Sequence, residues 1–353
     1  MKSSEVVVIT GASAGVGRAT ARLFAQTGAR IGLLARGRDG LEAARKEVEN
    51  AGGQALVLPV DVAKAEAVEA AAAAVEEKFG LIDIWVNNAM VSVFSPIKEI
   101  RAEEFKRVTE VTYLGVVYGT LAALKRMLPR NHGIIVQVGS ALAYRGIPLQ
   151  AAYCGAKHAI QGFVDSLRCE LLHDRTNVRV TMVQMPALNT PQFSWVKSRL
   201  PRKPQPVPPI FQPELAAEAI LWAARTGRPE IYVGWPTIKA IIGNKIAPRL
   251  ADWYLARNGY AAQQTDQPVA PNRPDNLWVP LTGDYGAHGE FDARARPSSW
   301  HFRLSKNRNW LSLATLFIAG AFLASTTASH RSQGRQSWFK RFCKPRLSQK
   351  HFR

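Results

Sequence analysis

A chain of 353 residues with 47% hydrophobic and 21% charged side chains can bury one sizeable core, which excludes a disordered polymer. Its three cysteines, Cys154, Cys169 and Cys343, form no CxxC pair, which excludes a disulfide framework or a cysteine metal site and fits a reducing compartment. The net charge of +19 is unevenly held: 13 Lys and Arg follow Asp292, the last acidic residue, whereas the rest of the chain sets 33 basic against 27 acidic residues, so an anionic surface is expected to meet the tail alone.

MKSSEVVVITG shows no apolar h-region with a cleavage site, so no secretory signal is expected. Seven short, β-branched apolar runs then follow in order: EVVVIT from Glu5, RIGLLA from Arg30, QALVLPVD from Gln54, IDIWVNNA from Ile82, GIIVQVGS from Gly133, VRVTMVQM from Val178 and EIYVG from Glu230. Nearly unbroken apolar runs belong to strands covered on both faces, hence to a parallel sheet. Ala-rich stretches between them, such as GLEAARKEVENAG and AEAVEAAAAAVEEKFG, suit right-handed helical crossovers. The expected fold is α/β, a doubly wound parallel sheet over residues 1–245, with ligands at the carboxyl ends of the strands.

Within it, PRKPQPVPPIFQP (201–213) holds six prolines, which rules out a regular helix or a central strand and leaves a pocket lid or a stiff spacer. Residues 246–305 are Pro-, Asn- and Asp-rich and read as an irregular extension partly wrapped on the domain. Residues 306–353 read as an apolar, membrane-associated helix with a basic tail. In WLSLATLFIAGAFLASTTAS (310–329), 20 uncharged residues would give a helix of about 30 Å, enough to cross a bilayer core. The strongly apolar part, Leu311–Ala324, is only 14 residues, and a span from the cytoplasmic side would translocate eight Lys and Arg. A helix lying in the cytosolic leaflet, or one docked on the protein's own core, are the alternatives.

Three motifs carry chemistry. TGASAGVG (10–17) follows the first strand, and Gly11, Gly15 and Gly17 there allow a tight turn, close approach of a pyrophosphate and helix N-terminal amides aimed at it. The second strand ends in Ala35 and Arg36, without the carboxylate that would bond a ribose 2′-OH; Arg36, with Arg38, suits the 2′-phosphate of NADP, NAD remaining admissible. In YCGAK, Tyr153 and Lys157 stand at i and i+4 on one helix face, where an ammonium lowers the pKa of a phenol. A half-buried aromatic beside a solvated charge would show the same spacing, so the remaining motifs decide. The seven histidines form no metal cluster, His158 reads as structural or exposed, and Trp195, Trp222 and Trp235 read as packing or pocket wall; nothing beyond the tail charge points to nucleic acid.

Taken in order, TGASAGVG, Asp61-Val62, NNA (87–89), Ser140, and Tyr153 with Lys157 resemble the short-chain dehydrogenase/reductase family over roughly residues 5–240. The resemblance implies a Rossmann fold, with Ser140 bonding a substrate carbonyl, Tyr153 as acid/base, Lys157 tuning the phenol and holding the nicotinamide ribose, and Thr112 where the family has a helix asparagine. It implies cofactor contacts from Gly11, Ser13, Gly15, Val16, Gly17, Arg36, Asp61, Val62, Asn88, Ala89, Tyr153, Lys157, Pro186 and Thr190. The Thr112 hydroxyl is expected to bond back along its helix. Further departures are Met90 in NNAM, Ala187 after Pro186, and Gly139 before Ser140. The implied activity is NADP-dependent interconversion of a secondary alcohol and a ketone or aldehyde. Phe193, Trp195, Leu200 and Phe211 suggest an apolar substrate, and a homo-oligomer is compatible with the family. The alternatives are a non-catalytic, membrane-held dinucleotide sensor and a sugar-nucleotide epimerase, the latter disfavoured by the glycine pattern and the short substrate region.

Overall fold

The computed structural model describes residues 4–270 and 272–307. The chain divides into a unit Met1–Ser299 and a second unit from Trp300, whose described part is the short helix Trp300–Lys306 and Asn307.

All seven expected strands form and join in one parallel sheet: β1 Val6–Thr10, β2 Arg30–Ala35, β3 Gln54–Pro59, β4 Ile84–Asn87, β5 Ile134–Val138, β6 Arg179–Gln184 and β7 Glu230–Tyr232. Their order is β7-β6-β5-β4-β1-β2-β3, so the winding reverses between β1 and β4, and a crevice opens at the carboxyl ends there. Residues Val6–Ile9 of β1 and Trp85 of β4 are fully enclosed, as strands covered on both faces require. Each large apolar side chain so buried contributes about 1.5–3 kcal/mol.

Helices α1 Gly15–Ala25, α2 Arg38–Asn50, α3 Ala65–Phe79, α4 Ala102–Thr109, α5 Gly115–Met127, α6 Ala151–His173 and α7 Pro213–Thr226 cover the two faces. Between α4 and α5 the helix widens into a π turn, Glu110–Leu114. Two further helices, α8 Trp235–Ile246 and α9 Pro248–Ala262, follow β7.

Helix α9 lies in the stretch read as irregular. Pro248 opens it at a position where the missing N–H costs nothing, and LADWYLAR sustains it, a local signal diluted by the Pro-rich composition further on. Past it, 264–268 pairs antiparallel with 202–204, and 295–296 pairs parallel with 210–211. The Pro-rich stretch is thus paired with the extension on both sides and is not a free spacer; residues 205–209 line the crevice at the carboxyl ends, where a pocket lid is expected. From Val269 to Ser299 the chain has little regular structure, yet Leu277 within it is fully buried. Residues 310–329 lie outside the described residues; among those described, no helix is long and apolar enough to cross a membrane.

Candidate functional site

The carboxyl ends of the strands open into a groove of about 1110 Å³. The Gly-rich turn forms its floor. Gly11 has φ +69°, and a Cβ added at Gly17 would meet the Gly11 carbonyl oxygen at 2.2 Å, so turn and helix start approach too closely for a side chain at either position. Asn88 fastens the turn to β4: its Nδ2 donates to the oxygens of Thr10 (3.0 Å) and Gly11 (3.2 Å), and the amides of Asn88 and Ala89 donate to the Thr10 hydroxyl at 2.9 and 3.1 Å. Ser13, Gly15, Val16, Val62, Pro186 and Thr190 also line the groove.

Arg36 and Asp61 lie at one end of it. Arg36 reaches the backbone oxygens of Asn276, Leu277 (3.2 Å) and Trp278 (3.0 Å), and burial together with the neighbouring Arg107 guanidinium lowers its pKa. Asp61 accepts from Arg107 Nη2 at 2.6 Å; burial pushes its carboxyl up, but the bonds from Arg107 and the Ala63 amide, together with the charges of Arg107 and Arg36, outweigh this and leave it below the usual range. Arg107, a buried residue of α4, is absent from the sequence reading; it looked like one more charge in EEFKRVTE, and only the packing turns it inward. Arg38, named there as the partner of Arg36, is instead exposed beside Glu42 at 3.8 Å.

Ser140, Tyr153 and Lys157 meet in the middle of the groove wall. Tyr153, Lys157, Ile160 and Val164 follow one another along one side of α6, which carries the lysine into the interior with only 3% exposure. Its Nζ donates to the Val138 oxygen at 2.6 Å and lies 5.6 Å from the Tyr153 ring centroid. Burial pushes Lys157 down to about 8. The phenol departs from expectation: burial raises its pKa above the ordinary tyrosine value, a hydrogen bond with Ser140 offsets this only in part, and the ammonium does not reverse it.

The departures noted in the sequence have structural reasons. The Thr112 hydroxyl does not bond back along its helix; the π turn directs it to Val91, where it donates to the oxygen at 2.9 Å and accepts from the amide at 3.1 Å. Gly139 is required because a Cβ there would meet Gln184 Oε1 at 2.3 Å. That oxygen accepts the Ser140 amide at 2.8 Å, while Gln184 Nε2 donates to Glu230 (2.6 Å) and Gln161 (3.0 Å). Glu230 also accepts from the hydroxyls of Tyr144 at 2.5 Å and Tyr232 at 2.7 Å. This buttress behind Ser140 escaped the sequence reading, although a glutamine in an apolar strand run was its trace. Ala187 needs no positive φ, and Met90 lines the groove.

On the substrate side, Phe193, Trp195 and Trp235 line the groove, but Leu200 and Phe211 are buried away from it, since core packing and pocket walls draw on the same residue types. Trp222 instead stacks under Arg228, 4.4 Å from its ring centroid. His158 is exposed, its Nδ1 2.8 Å from the Cys154 oxygen one turn back on the same helix.

Comparison with known proteins agrees with this geometry. The family model described as short chain dehydrogenase matches residues 5–199. The chain is 34% identical over 276 residues to the uncharacterized oxidoreductase YxnA of Bacillus subtilis, covering 78% of each, and 38% identical over 170 residues to human dehydrogenase/reductase SDR family member 7, covering 47% of this chain and 50% of that one. An alcohol dehydrogenase from the archaeon Thermococcus sibiricus, complexed with 5-hydroxy-NADP, superposes with a TM-score of 0.57 at 31% identity over 65% of this chain and 96% of its own. A metagenomic short-chain oxidoreductase in complex with NADP gives 0.55 at 27% identity, with the same coverage. With more than half of its length matched by the family model and the conserved-order motifs gathered in one groove, the chain belongs to the short-chain dehydrogenase/reductase family of oxidoreductases.

Proposed function

We propose that the protein is an NADP-dependent oxidoreductase that interconverts a secondary alcohol and an apolar ketone or aldehyde. The observation that carries this reading is the convergence of Ser140, Tyr153 and Lys157 in a groove that begins at a glycine turn and ends at Arg36 and Asp61. The residues suit a dinucleotide: at Gly17 even a methyl group would collide with the turn, and Arg36 supplies cationic donors at the ribose end, with Arg107 buried behind it on Asp61. Gly11, Ser13, Gly15, Val16 and Gly17 would hold the pyrophosphate, Asp61 and Val62 the adenine side, and Asn88, Ala89, Pro186, Thr190 and Lys157 the nicotinamide half. When bound, that cofactor supplies or accepts a hydride. The two structural neighbours complexed with 5-hydroxy-NADP and with NADP support the choice.

Ser140 and Tyr153 would bond the substrate oxygen. A phenol whose pKa is raised by burial is protonated at neutral pH, so it can give its proton to an oxygen that gains negative charge during reduction, with no prior deprotonation. Phe193, Trp195 and Trp235 on the groove wall favour an apolar compound. The tail from residue 306, with 20 uncharged positions and clustered Lys and Arg, is assigned to a membrane surface, which leaves the catalytic unit on the cytoplasmic side.

A panel of apolar carbonyls assayed with NADPH by nicotinamide absorbance tests this reading. Tyr153→Phe is expected to lower turnover by a factor on the order of 10² to 10⁴ while dinucleotide binding persists. Turnover retained by that variant overturns the acid/base role; binding without turnover of any substrate by the wild type favours the sensor alternative.

A further inference from the structure

The extension crosses the ribose end of the groove, and Arg36 is already engaged there. We propose that the backbone oxygens of Asn276, Leu277 and Trp278 occupy the place of the cofactor's 2′-phosphate, so that this segment is a built-in competitor which a 2′-phosphorylated dinucleotide displaces and an unphosphorylated one does not. The inference rests on the reading of Arg36 as the residue that receives that phosphate.

Arg36 stands at the carboxyl end of β2, and both of its terminal nitrogens point at those three oxygens. Arg107 converges on the same Leu277 oxygen from the other side at 3.1 Å while holding Asp61. Two guanidinium groups facing one carboxylate leave an excess positive charge, which neutral carbonyl dipoles answer only in part. A phosphate offers charge-assisted, bidentate bonds to the same N–H groups and is the stronger acceptor. Phosphate and carbonyls cannot occupy one guanidinium edge together.

The segment is fastened on both sides of this contact. Asn276 N donates to the Trp195 oxygen at 3.1 Å, and the Leu277 side chain packs in the main core with Val60 and Val62. Further along, Gly283 N donates to Asp39 at 2.8 Å, Asp284 pairs with the buried Arg18 at 2.9 Å, and the Gly286 oxygen accepts the Gly15 amide at 3.0 Å. Pro280, Leu281, Gly283 and Tyr285 between these points line the groove. The strap thus closes over the ribose end while its carbonyls stand in for an anion. A ribose 2′-OH carries no charge with which to displace them.

Hydrogen exchange of the full-length protein with saturating NADP⁺, with NAD⁺ and with neither tests the competition. NADP⁺ is expected to speed exchange of the Asn276 and Leu277 amides at least tenfold, whereas NAD⁺ leaves them unchanged or slower. Leu277→Ala, which removes the buried anchor, is expected to tighten NADP⁺ by about tenfold in calorimetry, the equivalent of one hydrogen-bonded contact no longer displaced, with little change for NAD⁺. Asp284→Asn, which loosens the end where the Gly286 oxygen holds the Gly15 amide, should instead tighten both dinucleotides, since both bring a pyrophosphate to that amide. The inference is overturned if NADP⁺ slows exchange at 276–277, or if both variants weaken the two dinucleotides equally, since the strap is then a wall of the bound state. Failure of NADP⁺ to bind overturns the parent reading and this inference with it. Binding of both with no difference at 276–277 overturns the inference alone.

Discussion

At the scale of residues, Lys157 and Tyr153 are where burial and function oppose each other. The folded chain holds Lys157 at about 8, against 10.5 for the ordinary side chain, so between these values the unfolded chain binds a proton that the folded one has released. Stability therefore rises with pH across that window. Below pH 8 the folded protein carries the full net cost of a buried ammonium, about 1.4 kcal/mol for each pH unit of the depression. Lys157→Met is accordingly expected to be more resistant to urea than the wild type at pH 7, with the gap closing by pH 10. An equal gap at both pH values would show that Lys157 does not titrate in this range. If the ammonium serves the cofactor ribose, dinucleotide affinity of the wild type falls as the pH passes 8 in the same series.

Elements position these residues through contacts that no single strand or helix contains. Gly139 follows β5, Gln184 ends β6, and the two touch so closely that the small polar residue common in the family would collide. Gly139→Ala should cost about 1–3 kcal/mol by overpacking, and its cost should shrink in a Gln184→Ala background, where the colliding oxygen is gone. Urea denaturation of the two single variants and the double variant measures the coupling; additive costs would remove this explanation of Gly139. The π turn at Glu110–Leu114 has a similar cause. It aims Thr112 across to Val91, so that helix and strand end are tied where the family asparagine would stand. Thr112→Val, which keeps the shape and removes both bonds, is expected to destabilise the protein by about 1–3 kcal/mol, because it leaves the buried Val91 amide and oxygen without that partner. Thermal denaturation checks it, and an unchanged midpoint would mean the pairing is idle.

For the whole molecule, the division after Ser299 coincides with a change in charge: beyond Asp292 every ionised side chain is basic. A chain ending at Ser299 keeps the sheet, the groove and the strap, and is expected to remain in the soluble fraction with wild-type dinucleotide affinity, whereas the full chain sediments with anionic vesicles. If the full chain is soluble in low salt and ignores such vesicles, the membrane assignment of the tail fails.

Seven strands and their parallel pairing were legible in the sequence, because a strand covered on both faces must be apolar along its length, and that is a local signal. The glycine turn, Ser140 and the Tyr153–Lys157 pair were legible too, each as a short-range pattern next to a strand or within a helix. What surrounds them came from the packing. The raised phenol, the inward Arg107, the Gln184–Glu230 buttress and the strap on Arg36 depend on groups 40 to more than 200 residues apart, and on burial that no local pattern records. The sequence offered Arg36 as a free cation at a strand end; the fold sets it against three backbone oxygens from the extension, because desolvated guanidinium groups must find acceptors wherever the chain can bring them.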